Sequence, residues 1–549
     1  MRARTFASLA LVPLLLAALA VTTAAPAAGA TSRVLLVGSW HGVHGQYRTI
    51  QSAVDAAQSG DWILVGPGDY HESAWDDLAG VYITTPGLHL RGMDRNRVIV
   101  DGTLPQATKP CDPNPALQDF GPMGEEGYAE GRNGVWVDEV NGVSVENLTA
   151  CNFLSSKEGE NGNQIWFDGG DGSGHQNMGA FTGRYLTGTS TYYVDGDPRL
   201  AQYGLFADNT YGPGLLSQGY ASNMADSSIY IGACPDCNVV VDHVIARYSA
   251  IGYSGTNSGG HLIIQNSEWD HNRSGIVPNS LNNDDQPAPQ DGACPDQEPG
   301  PYGNGSCTIF RNNYVHDNNN PNTPTNDTSG LVPIGTGIET PGASNDTFVG
   351  NTVVNNGGWG IVIFDFPDSE TPPPGVNCQG GVGYGQVCFF AASGNEVAHN
   401  RLAHNGFFGN PGNVDLGNEA SSVIPGNCFH GNTDPKGLTS DPQDIETVDG
   451  TCGGPAPGDL TLAGQLVCAS GLLDMGYPGF QCPGPANYPQ RTQVRMSGIE
   501  PQPSMPDPCA GVPTNPWCPA GGGSPHGPGP ASQGPATFPV RPVRTGGAR

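Results

Sequence analysis

Five segments of the chain, 238–252, 261–275, 307–320, 346–360 and 395–409, share one alternation of apolar and polar positions and superimpose column by column. Their centres read VVVDHVIARYS, LIIQNSEWDHN, TIFRNNYVHDN, TFVGNTVVNNG and EVAHNRLAHNG. Each opens as a period-two strand, passes a polar residue at a fixed place and continues as a second short strand. That polar column reads His243, Asn266, Asn312, Asn351 and Asn400, and a further copy at Val143–Phe153 (VSVENLTACNF) puts Asn147 in the same place. Self-similarity of this kind predicts a solenoid, in which no unit buries its apolar face alone and stacked neighbours build a continuous core.

The flanking segments fit such a coil. Thr49–Gly60 (TIQSAVDAAQSG) puts Ile50, Ala53, Val54 and Ala57 on one helical face with Gly60 as a stop, which predicts a short helix covering the open N-terminal end. Short strands follow at Trp62–Val65 and, separated by Gly and Pro, from Val81 to Asp101. Between Asn147 and His243, Gln164–Phe167, Ala180–Tyr185, Tyr203–Asp208 and Ser227–Ile231 are candidate strands of intervening turns. Pro278–Ser306 and Pro367–Gln386 read as long loop insertions. The expected organisation is a leader over 1–30, a strand coil over 31–432, a closing region over 433–484 that carries Cys452, Cys468 and Cys482, and a tail over 485–549 too poor in apolar residues to fold.

The leader has Arg2 and Arg4, an apolar run from Leu9 to Val21 broken at Pro13, and small residues ending in AAPAAGA, which predicts a secretory signal cut near Ala30. No later stretch is apolar enough to span a bilayer, so the mature protein is expected to be secreted, without membrane insertion, and monomeric. All 14 cysteines follow the leader, an even number that suits an oxidising compartment. Cys234 with Cys237, Cys294 with Cys307, Cys378 with Cys388 and Cys509 with Cys518 are close enough in sequence to pair, and the Cys234-Pro-Asp-Cys237 spacing is read as a disulfide rather than a zinc site. The formal charge of −30, with only three lysines (Lys109, Lys157 and Lys436), repels nucleic acid and anionic lipid.

The stretch YRTIQSAVDAAQSGDWILVGPGDYHE and the asparagine column resemble the right-handed parallel β-helix proteins of the pectate-lyase-like superfamily, and YIGACPDCN and GYSGTNSGGH are similar to exported members from high-GC bacteria. The resemblance spans roughly Ser32–Asn432. It implies an all-β, right-handed parallel β-helix with a short capping helix, and a polysaccharide as partner. It implies no single activity, because the superfamily holds lyases, hydrolases, epimerases, esterases and non-catalytic proteins. Asp242-His243 is similar to the Asp-His pair of pectate lyases, but their later Arg-x-Pro-x-x-Arg segment and the paired acids of galacturonases are missing, so no catalytic residue is carried over.

The repeat itself nominates a site. Residues in one column of successive turns stack about 4.8 Å apart, which brings Asp270, His271, Arg273, His316 and Asp317 together. Those residues suit proton abstraction beside a sugar carboxylate, with His271 or His316 as base, Arg273 holding the carboxylate and an aspartate orienting the imidazole. A lyase-like enzyme is therefore favoured over a glycoside hydrolase, the alternative being a non-catalytic glycan-binding or envelope protein. Trp359, Phe364 and Phe366 are candidates for sugar stacking, with core filling as the competing reading. Asp284, Asp285, Asp365 and Asp368 offer oxygen ligands for Ca²⁺; no other cofactor is expected.

Overall fold

The computed structural model describes residues 32–170, 175–280, 298–299, 305–326, 328–368, 382–384, 387–420, 425–470, 482 and 486–520. Among them, three long parallel sheets of 12, 10 and 11 strands carry almost the whole fold, here named the first, second and third sheet. Each complete turn gives one strand to each sheet in order, the first and last turns being incomplete. Thus Val239–Asp242 lies in the first sheet, Ile245–Arg247 in the second and Ile251–Thr256 in the third before the chain re-enters the first at Leu262–Gln265. The protein is a parallel β-helix, and connections between parallel strands of this kind take the right-handed sense.

The alternation of the sequence decides what lies inside. Val241, Ile264, Phe310, Phe348, Val397 and Phe429 pair in register along the first sheet and are all buried in the axial core. Phe310 and Phe348 stack with ring centres 4.9 Å apart. Each such side chain contributes about 1.5–3 kcal/mol by leaving water.

Corners are set by backbone conformation. His243, Asn266 and Asn312 have φ of 54°, 51° and 55°, and Gly350 at the next turn has 65°. Left-handed residues at this corner let the chain pass from one sheet to the next, and Asn and Gly tolerate that region best. The following column builds the ladder: Asn313 Nδ2 donates to Asn351 Oδ1 (3.1 Å), Asn351 to Asn400 (3.0 Å) and Asn400 to Asn432 (2.9 Å). The expected column therefore merges two adjacent ones. Val349 pairs with Arg311, which puts Asn351 level with Asn313 rather than Asn312. A second ladder, Asn272, Asn318, Asn356 and Asn405, runs along the corner between the second and third sheets.

The N-terminal end is capped as expected, by helix α1, Ile50–Ala56, which buries Ile50, Ala53 and Val54. It ends before Gly60 because Ala57 is already extended. Thr49 caps its first turn, and the two Glu72 carboxylate oxygens accept from the Ile50 and Gln51 amides at 2.6 and 3.1 Å. All four expected strands between Asn147 and His243 are present, together with Gly214–Ser217 and Tyr220–Ser222.

Five disulfides close within the described residues: Cys111–Cys151, Cys234–Cys237, Cys428–Cys452, Cys468–Cys482 and Cys509–Cys518. Cys294 and Cys378 of two expected pairs lie outside those residues, as do the leader over 1–30 and the last residues, 521–549. No helix among the described residues is long and apolar enough to cross a membrane.

The tail departs from expectation. Residues 486–520 have little regular structure, yet they run back along the coil as a strap from its C-terminal to its N-terminal end. Asn487 binds Asn410, Arg491 binds Thr325, Ser497 binds Asn223, Gln502 binds Asn96 and Ser504 binds Asn147. Trp517 and Cys518 finish buried against Leu36, Leu64 and Met93. Low apolar content does not leave this segment unfolded, because it docks its backbone on polar groups of a preformed surface and needs no core of its own.

Candidate functional site

The outer face of the second sheet carries the chemistry. One column reads Tyr220, Ile245, Glu268, Tyr314, Thr352 and the next Ser222, Arg247, Asp270, His316, Val354. Trp269 and Val315 alternate inward and are buried, so the intervening polar residues face out together.

Their contacts form one network. Asp270, 2% exposed, is the hub: one carboxylate oxygen accepts from Arg247 Nη2 at 2.7 Å and lies 3.5 Å from His316 Nε2, while the other accepts from His271 Nδ1 at 3.1 Å. Glu268 lies 3.3 Å from both Arg247 Nη2 and His316 Nε2. His316 Nδ1 meets Asp317 Oδ2 at 2.8 Å, and Asn355 Nδ2 donates to Asp317 Oδ1 at 2.8 Å. The Tyr314 ring stacks on His316 with centres 4.0 Å apart.

Electrostatics separates the roles. Burial pulls the His316 imidazolium down, but Asp317, Glu268 and Asp270 more than offset it and raise the group to about 9. Both its nitrogens therefore donate at neutral pH, and it is a cation rather than a base. Burial pushes the Asp270 carboxyl up against the opposing pull of His271 and Arg247, whereas the bond to His316 holds Glu268 below the usual range. His271 differs in being 49% exposed at its side chain. Because a carboxylate only accepts, Asp270 fixes the proton on His271 Nδ1 and leaves Nε2 as the lone-pair nitrogen.

Four of the five expected residues thus converge, and Arg273 does not. Its side chain donates to the carbonyls of Val332 (2.9 Å) and Ala469 (3.3 Å), tying a loop and the helix Leu462–Ala469 to the start of a third-sheet strand. Arg247, one turn earlier, supplies the cation instead. Arg247 and Glu268 were the residues the sequence reading missed. Arg247 already stood in the column of Asp270 and His316, and the strand alternation that turns Asp270 outward turns Glu268 outward with it.

The aromatic expectation is corrected as well. Trp359 is 0% exposed, its Nε1 donates to Gly412 O at 2.8 Å, and it packs with Phe364, Leu466 and Tyr488. Phe366 lies partly buried against the same cluster. The helix Leu462–Ala469 and the start of the strap cover this face, so Trp359 and Phe364 fill space and offer no surface to a sugar. Among the described residues, Phe407, 44% exposed and stacked on His404 with centres 4.9 Å apart, is the open aromatic at that end of the coil.

Of the expected Ca²⁺ ligands, Asp284 and Asp285 lie outside the described residues, and only the backbone of Asp368 is described, paired with Cys388. Asp365 is buried and accepts from the Ala392 amide at 2.8 Å. Groups of three or more potential ligands occur at Asp69, His71 and Asp101, at Glu268, Asp270 and His316, and in two clusters whose cysteines are oxidised to disulfides.

No family profile and no curated protein matches the chain. Solved structures do. The A-module of a mannuronan C-5 epimerase from Azotobacter vinelandii is 12% identical, with 70% of this chain and 90% of that one covered and a TM-score of 0.37. An alginate lyase from a Paenibacillus species is 12% identical over 74% of this chain and 97% of its own, with a TM-score of 0.31. A pectin methylesterase from Erwinia chrysanthemi is 15% identical over 52% and 80%, with a TM-score of 0.29. Similarity at this level transfers no residue role and no activity to this chain.

Proposed function

We propose that this is a secreted protein acting on an extracellular polysaccharide that carries sugar carboxylates, by proton transfer at the carbon beside the carboxylate. The observation that carries the reading is the Asp270–His271 pair: a buried carboxylate orienting an exposed imidazole, next to a guanidinium and an imidazolium. Export is read from the leader, and the disulfides are consistent with it.

In the proposed step, His271 Nε2 takes the proton and the electron pair of that C–H bond moves onto the adjacent carboxylate. Arg247 and protonated His316 stabilise the charge that develops there. Elimination follows if the pair returns to form a C=C bond while the bond to the glycosidic oxygen breaks and that oxygen takes a proton from water. Epimerisation follows if a proton returns to the opposite face. Asp270 positions the base and does not touch substrate.

A second reading, glycan binding without turnover, is favoured by one feature: most of the charged groups in the cluster are already paired with one another. Incubation of the mature protein with uronic-acid and neutral polysaccharides separates the two. Unsaturated ends or inverted uronate residues support the first reading. Binding on affinity electrophoresis with neither product supports the second.

A further inference from the structure

The two columns that hold the candidate site hold a second constellation at the other end of the second sheet. Asp69 pairs with Ile99 and Tyr70 with Val100, so His71, one residue on, comes level with Asp101. Asp69, Ile99, Thr149, Thr187 and Tyr220 lead into the column of Glu268, and Asp101, Cys151, Thr189 and Ser222 into that of Asp270. One ligand atom each from Asp69, His71 and Asp101 lie within 4.8 Å of one another, as do those of Glu268, Asp270 and His316. The solenoid thus presents an acid, an imidazole and a second acid twice on one face. The two sets differ in what neutralises them. Arg247 reaches both acids of the second set, whereas among the described residues neither Asp69 nor Asp101 is ion-paired to a lysine or arginine.

Three further observations give the first set the character of a ligand group. His71 Nδ1 lies 2.7 Å from the Thr103 carbonyl oxygen, which only accepts, so Nδ1 carries a proton and Nε2 is the nitrogen left to bind a ligand. Nε2 faces the Asp69 carboxylate at 3.5 Å, and that carboxylate raises the imidazole's affinity for a positive charge there, which a proton or a metal cation supplies. Committing one imidazole nitrogen to a backbone carbonyl is also the usual outer-shell arrangement of a metal-bound histidine. Asp101 is wholly buried and aimed by two backbone amides, Thr103 N on Oδ1 at 2.8 Å and Cys111 N on Oδ2 at 2.6 Å, with the Cys111–Cys151 disulfide holding the second donor in place. Asp69 is 29% exposed at its side chain, which leaves an entry path.

We infer that Asp69, His71 and Asp101 form a binding site for a divalent transition cation of the Zn²⁺ type. The imidazole selects against Ca²⁺ and Mg²⁺, which take oxygen ligands. Tetrahedral coordination with bonds of about 2 Å puts ligand atoms about 3.3 Å apart, close to the observed separation of His71 Nε2 from Asp69.

The test is equilibrium binding of Zn²⁺ to the full mature protein in competition with a chromophoric chelator, with excess Ca²⁺ present throughout. Wild type, Asp69→Asn, His71→Gln and His316→Gln are compared. Asp69→Asn replaces a partly exposed group, and circular dichroism checks that each variant keeps its sheet content. The expected result is one tight Zn²⁺ equivalent in wild type and in His316→Gln, weakened at least tenfold in both Asp69→Asn and His71→Gln. The Co²⁺ form should show visible bands that are lost in the same two variants. Failure of wild type to retain Zn²⁺, or unchanged affinity in Asp69→Asn and His71→Gln, overturns the inference.

Discussion

The Glu500 carboxylate lies 3.4 Å from Arg247 Nη1, joining residues 253 apart in sequence. The strap therefore lays an acid across the guanidinium that the proposed reaction needs for a sugar carboxylate. Glu500→Gln should tighten binding of acidic oligosaccharides severalfold and leave neutral ones unchanged. Calorimetric titration with both classes checks this, and equal effects on both would detach Glu500 from the Arg247 cluster.

The strap also matters for stability. Arg91 donates to the carbonyls of Pro508 (3.2 Å) and Ala510 (2.7 Å), and Arg95 to that of Pro503 (3.2 Å). Each buried donor left without its acceptor costs about 1–3 kcal/mol. Removing residues 491–549 should lower the melting temperature by several degrees and raise hydrogen exchange first around Leu36, Leu64 and Met93. Unchanged exchange there would mean that the strap does not rest on the coil in solution.

Acid–base linkage gives the fold a preference for mildly acidic conditions. Burial pushes the Glu339 carboxyl from 4.5 up to about 8, so its neutral form is the one that folds, and stability falls as pH rises through that window. His316, raised from 6.5 to about 9, contributes fully below 6.5 and loses its contribution as pH rises through 9, on the order of 3 kcal/mol. Denaturant midpoints should therefore decline from about pH 5 to pH 9. Glu339→Gln should flatten the lower part of that decline and His316→Gln the upper part. Midpoints that rise over this range in wild type would contradict both assignments.

The two adjacent asparagine columns predict opposite outcomes for neighbouring residues. Asn351→Ala or Asn313→Ala breaks a buried ladder and should cost about 1–3 kcal/mol. Asn312→Gly, at φ 55°, should cost little or stabilise slightly. Urea melts of the three variants measure this; a large loss in Asn312→Gly with none in Asn313→Ala would restore the alternative register.

That slip shows what the sequence makes legible. Period-two alternation identified the strands and their stacking, because one face must be buried. It did not fix the corner, where asparagine serves both as a left-handed residue, as at Asn266 and Asn312, and as a ladder amide, as at Asn351 and Asn400. The same limit explains Arg273. Sequence proximity placed it with His271, but the chain turns at His271 (φ 55°), and Arg273 leaves on the third sheet. Trp359 was ambiguous for another reason: whether an outward aromatic is open depends on what packs over it, and Leu466 and Tyr488 come from segments that carry no repeat signal.

The central claim is that His271, held by Asp270, removes a proton beside a sugar carboxylate, and both fates of that step leave a mark in heavy water. A uronate polysaccharide incubated with the protein in D₂O and followed by NMR should acquire either unsaturated ends or deuterium at the abstraction carbon, and His271→Ala should give neither while still binding the polymer. Equal conversion by wild type and His271→Ala would contradict the account.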